Sequence, residues 1–64
     1  MGYSLLAPVT GTYDEQTKEM LEWMKSNCPS YITNEVVMHE NKWHYKFYFY
    51  EEKDYIWAKL KWAN

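Results

Sequence analysis

A lone cysteine, two histidines and a cluster of carboxylates are the residues of this 64-residue chain best suited to chemistry. Cys28 with His39 or His44 would make a thiolate–imidazole pair, the arrangement that activates a nucleophile. Cys28, however, completes the apolar stripe of a helical segment, where a cysteine serves as a small buried hydrophobe. The three residues never fall into a C-x-x-C or H-x-x-x-H spacing, so no metal set is expected. Glu51, Glu52 and Asp54 resemble an acid–base or Mg²⁺ cluster, yet they stand where the first turn of a helix favours carboxylates. Gly2 and Gly11 are the only glycines, which leaves no phosphate-cradling loop, and no serine sits in a G-x-S-x-G turn. The expectation is a non-enzymatic protein with no cofactor.

The elements that position these residues follow from periodicity. Tyr3 to Ala7 is a short apolar strand stopped by Pro8, and residues 8–11 read as a turn. Thr12 and Glu15 have the spacing of a capping box, and Asp14 and Glu15 suit the positive end of a helix. Tyr13, Thr17, Met20, Leu21, Met24 and Cys28 then form one apolar stripe, with Glu15, Lys18, Glu19, Glu22, Lys25 and Ser26 opposite. Trp23 lies beside the stripe, at the rim of the core, and Pro29 ends the helix. Tyr31 to His39 alternates as a strand with Ile32, Asn34, Val36 and Met38 on its core face and Tyr31, Thr33, Glu35, Val37 and His39 on the other. Glu40-Asn41 is a hairpin turn into residues 43–50, which brings His39 and His44 near each other. In that second strand Trp43, Tyr45, Phe47 and Phe49 share the core face, and His44, Lys46, Tyr48 and Tyr50 the other.

Residues 51–62 fit two elements. As a strand, Ile56, Ala58, Leu60 and Trp62 alternate with Tyr55, Trp57, Lys59 and Lys61. As a helix, Ile56, Trp57 and Leu60 form a stripe, with acidic residues in the first turn and Lys59 and Lys61 in the last. The charge gradient favours the helix. The expected architecture is one small α+β domain, β-α-β-β-α: a truncated ferredoxin-like, three-stranded antiparallel sheet with two helices on one face. The alternative is one helix packed on a sheet that includes residues 55–62. In the first arrangement the third strand is central and one sheet face has no layer over it; in the second the inward face of residues 43–50 stays the same.

The run Phe47-x-Phe49-x-Glu51-Glu52-x-Asp54-Tyr55, continued by Leu60-Lys61-Trp62, resembles the C-terminal part of small phage-encoded proteins. In these an aromatic strand is followed by an acidic turn, an apolar segment and a terminal Leu-x-Trp. Tyr55 departs from the Ala usual there. The resemblance covers the C-terminal third of the chain, implies a viral origin, and brings no functional residue with it; for a phage product the expected protein partner is a host protein.

Composition narrows the partner. Seven Lys against nine Asp and Glu give a net charge of −2, and arginine is absent. Phosphate neutralisation carries most nucleic-acid affinity, and arginine's planar fork is the preferred group for it, so nucleic acid is disfavoured as a partner. No apolar run approaches the about 18 residues that span a bilayer, and the N-terminus lacks a basic leader, so a cytoplasmic protein is expected with no membrane contact. Four Trp, seven Tyr and two Phe must supply the core, because one cysteine cannot close an internal disulfide. An uncovered sheet face carrying Tyr31, Val37, His44, Lys46, Tyr48 and Tyr50 is the expected protein-binding surface, with self-association into a homo-oligomer as its first contact. The second reading is single-stranded nucleic-acid binding by stacking on Tyr48, Tyr50 and Tyr3.

Overall fold

The computed structural model describes residues 2–62. The chain runs β1 (Tyr3–Pro8), α1 (Tyr13–Asn27), β2 (Tyr31–His39), β3 (Lys42–Phe49) and α2 (Glu52–Trp62). Residues 52–62 are therefore helical, and the alternative of a further strand at 55–62 does not hold. The three strands form one antiparallel sheet in the order β1-β3-β2, an α+β architecture with the aromatic strand at its centre. Leu5 and Ala7 of β1 and Tyr45, Phe47 and Phe49 of β3 meet Met20, Met24 and Cys28 from α1 and Ala58 from α2 in a single cluster. Both helices thus bury the same sheet face.

Helix α1 begins as expected but is held differently. Thr12 stands at the N-cap in extended conformation and its hydroxyl makes no capping bond. Gln16 instead ties the first turn of the helix to the loop before it, because its amide carries both donors and an acceptor. Its Oε1 accepts from the Thr10 N–H at 2.9 Å, and its Nε2 donates to the Pro8 carbonyl at 3.1 Å, stapling the β1–α1 loop. Deeper along the stripe, the Tyr45 hydroxyl donates to the Tyr13 carbonyl at 3.2 Å, so the Thr17 hydroxyl donates to Tyr45 in turn at 2.9 Å. A phenol that would otherwise be buried without a partner is satisfied by the first turns of α1.

Three core expectations are corrected. Trp43 is 57% exposed, because α1 starts at Tyr13 and does not reach the hairpin end of β3. Ile32 is exposed, because an irregularity between Tyr31 and Thr33 inserts it as the extra residue of a β-bulge. Met38 pairs with Trp43 at the same uncovered end and is 54% exposed. The bulge also moves Tyr31 onto the core side, where its ring lies 6.2 Å from that of Phe47 and 6.1 Å from that of Phe49.

Helix α2 is turned about its axis relative to its apolar stripe. Its inward positions are Asp54, Tyr55, Ala58 and Trp62, spaced to share one side of a helix. Ala58 is fully buried, and its short side chain lets the helix settle close on the sheet. Asp54 Oδ2 accepts from the Ser30 N–H at 2.8 Å, while Ser30 Oγ accepts from the Glu51 N–H at 3.0 Å. Ile56, Trp57 and Leu60 consequently face solvent.

The β2–β3 hairpin turns on Glu40 (φ 51°) and Asn41 (φ 65°). Two consecutive residues at positive φ make the turn whose twist matches paired strands, at a cost that is greater for Glu than for Asn or Gly. Replacing Glu40→Asn together with Asn41→Gly should raise the thermal midpoint, with a gain of about 1 kcal/mol in urea melts. Phe47→Ala should remove about 3–5 kcal/mol, enough to unfold most of the protein, which far-ultraviolet circular dichroism would register.

Candidate functional site

The two sheet faces have different chemistry because residues alternate across the strands. On the face away from the helices, the register sets Glu35 beside Lys46 beside Leu6, and Val37 beside His44 beside Pro8. Tyr48 donates its hydroxyl to Glu35 Oε2 at 3.1 Å, and Lys46 Nζ lies 5.4 Å from the centre of the Tyr48 ring. The His39 and His44 rings meet edge to face at 5.3 Å, as the hairpin implied. Four of the six residues expected on this face, Val37, His44, Lys46 and Tyr48, are brought together there. Tyr50 stands just past the end of β3 and is exposed, and Tyr31 belongs to the helix side. The open face is therefore narrower and more polar than expected, with its phenol and ammonium already engaged by neighbours.

Cys28 is separated from both histidines. It packs in the core, its thiol directed to the Asp54 carbonyl at 3.7 Å, whereas the histidines lie on the opposite side of the sheet. Burial, with the nearby Asp54 carboxylate adding to it, pushes the thiol up to about 11. A thiol this reluctant to ionise is a poor nucleophile. Burial also raises the Tyr31 phenol. The carboxylate cluster is divided in the same way: Asp54 points inward and ties α2 to the loop before β2, and Glu51 lies 4.0 Å from Lys53 at the surface. Among the described residues no three His, Cys, Asp or Glu side chains converge in a metal-holding group, and no helix is long and apolar enough to cross a membrane.

Two apolar surfaces lie elsewhere. At the hairpin end, Val9, Tyr13, Val36 and Trp43 line a groove of about 440 Å³ whose walls are almost wholly apolar. Along the helices, Trp23, Trp57, Leu60 and Lys61 line a smaller one of about 240 Å³. Trp23 stacks on Trp57 at 6.3 Å and meets the edge of Trp62 at 6.1 Å. Beside this seam Ile56, Trp57 and Leu60 are 46%, 52% and 59% exposed, with Lys61 lining the same groove and Lys59 laid over the Tyr55 ring at 5.9 Å. Sequence reasoning found the stripe but not its direction. The signal was the run Asp54, Tyr55, Ala58, Trp62, which places a second set of packing residues on another side of the same helix.

Comparison with known proteins finds no family model, curated protein or solved structure that matches this chain. The surfaces above are therefore the basis for any functional reading.

The native Cys28 should resist a thiol reagent at pH 8 and react once urea unfolds the chain. Keeping the thiol neutral stabilises the fold fully below the unfolded value of 9.0, and this contribution is lost as pH rises toward 11. Urea midpoints should thus fall more steeply between pH 9 and 11 for the wild type than for Cys28→Ala.

Proposed function

We propose that the chain is a small non-enzymatic protein-binding module whose contact surface is the outward side of α2. The observation that carries this reading is the rotation of that helix: it buries an alanine and an aspartate while presenting Ile56, Trp57 and Leu60 to solvent. Large apolar side chains grouped on one helix side mark interaction sites, and an i, i+1, i+4 set fits the helix-in-groove mode of recognition. Lys61 lines the groove beside Trp57 and Leu60, and Lys53 stands one turn before Trp57, so the fitting partner is an apolar groove with carboxylates at its edge. The C-terminal likeness to small phage-encoded proteins supports a host protein in that role, met in the cytoplasm and altered in its activity by the contact. The same reading takes the fold as a ferredoxin-like arrangement without its last strand, on the support of β3 lying between β1 and β2.

Leu60→Ser should change stability by no more than about 0.5 kcal/mol, whereas Trp57→Ala gives up the stack on Trp23 and should cost about 1 kcal/mol, leaving the protein folded. Immobilised protein should capture its partner from host extract, and both variants should lose at least tenfold of that capture, whereas Tyr48→Ala should retain it. Oligo(dT) binding followed by fluorescence anisotropy decides against the second reading if it is absent at low salt. Micromolar, salt-sensitive binding that Tyr48→Ala abolishes would replace the present reading with single-strand nucleic-acid recognition.

A further inference from the structure

Strand β2 is an edge, and its chemistry is unlike that of the other edge. β1 ends in Pro8 and has α2 packed along it, both of which discourage further pairing. From Thr33 to His39, β2 carries no proline and no lysine, and its bulge lies only at its start. Its outward backbone groups are free to bond another strand, and among the described residues no loop or helix backbone bonds to them. Glu35, Met38 and His39 are exposed and Val36 and Val37 half-buried, so the strand is reachable from both sides.

We infer that β2 pairs antiparallel with β2 of a second copy about a two-fold axis at Val37, joining two three-stranded sheets into one of six strands. The occupant follows from the strand's own sequence. An antiparallel pair must keep residues of one face opposite each other, so the axis has to pass through a residue and not between two. An axis at Glu35 sets two carboxylates against each other, and one at Val36 sets Asn34 against Met38 and Glu35 against Val37. An axis at Val37 matches every pair: Val37 with its own copy, Val36 with Met38, and Glu35 with His39, each twice by symmetry. Imidazole has an N–H donor in either protonation state, and Glu35 has Oε1 to offer because Tyr48 uses Oε2. On the helix side the Val36–Met38 pairs extend the apolar lining of the groove formed by Val9, Tyr13, Val36 and Trp43 across the join. This contact is independent of α2, whose stripe stays open in the joined pair.

Sedimentation velocity from about 10 to about 500 μM, which lies between a Kd of roughly 1 μM and one of roughly 1 mM, tests the pairing on the full chain. A concentration-dependent dimer is expected. Glu35→Lys alone and His39→Glu alone should each weaken it at least tenfold, and the two together should restore it. In oxidising buffer Val37→Cys should form a disulfide-linked dimer at least tenfold faster than Thr33→Cys, since only the axial position meets its own copy. This second measurement needs no change of charge and stands if Glu35→Lys disturbs the fold. A wild type monomeric at 500 μM, equal cross-linking at the two cysteine positions, or a dimer lost in Trp57→Ala but kept in Glu35→Lys would each overturn the inference. Trp57→Ala losing partner capture while still dimerising separates this contact from the α2 surface.

Discussion

The hydrogen bond from the Ser30 N–H to the Asp54 carboxylate, 2.8 Å long and almost closed to solvent, sets the orientation on which the surface of this protein depends. It joins the loop after α1 to the first turn of α2. A helix anchored with residue 54 inward must also turn residues 55, 58 and 62 inward, since successive side chains step by 3.6 per turn. Positions 56, 57 and 60 are then left outside. An aspartate at a helix N-terminus is favoured by the macrodipole and can bond a backbone amide more strongly than a neutral acceptor could. That strength is what allows a polar group to occupy a core position and three large apolar groups to remain outside.

The core beneath this anchor is aromatic because few other routes are open to so short a chain. Tyr45, Phe47 and Phe49 run along the central strand, flanked by Leu5 and Ala7 on one side and packed from above by Met20 and Met24. Methionine adapts its shape to the gaps between rings, and such contacts suit a layer where flat and flexible groups alternate. The Tyr45 phenol reaches past this layer to Tyr13 and Thr17, so even the one polar atom of the strand's core side is bonded. The largest buried side chains are those of β3 and the helix residues it touches.

Most of this arrangement was legible in the residues. A period of two from Tyr45 to Phe49 and a mixed three- and four-residue spacing from Tyr13 to Cys28 are strong signals, and the strand order that the succession of elements implies has β3 in the centre. What was not legible depends on contacts distant in sequence. Nothing around Ile32 announces a bulge, yet one inserted residue moved Tyr31 from the open face to the core. Trp43 continues the period of its strand, but exposure depends on where α1 begins thirty residues earlier. Ile56, Trp57 and Leu60 form a correct stripe whose direction is set by Asp54 and Ser30, a pairing that no local pattern encodes. The candidate surface therefore moved from the sheet face of Val37, His44, Lys46 and Tyr48 to a helix stripe that the residues mark as apolar but not as a site.

The separation of β1 from its partner has a kinetic consequence. Tyr3 pairs with Phe49 and Pro8 with His44, so β1 is held by residues some forty positions away, whereas β2 and β3 are joined by a two-residue turn. Hairpins close in about 1–10 μs, but contacts between distant segments must first overcome the entropy of closing a long loop. The β2–β3 ribbon forms early on this account, with α1 condensing on its aromatic side. On the same account docking of the N-terminal strand comes last, because it closes the longest loop. Until it occurs, β3 is itself an open edge, and the aromatic centre of the native sheet is for that interval its most adhesive border.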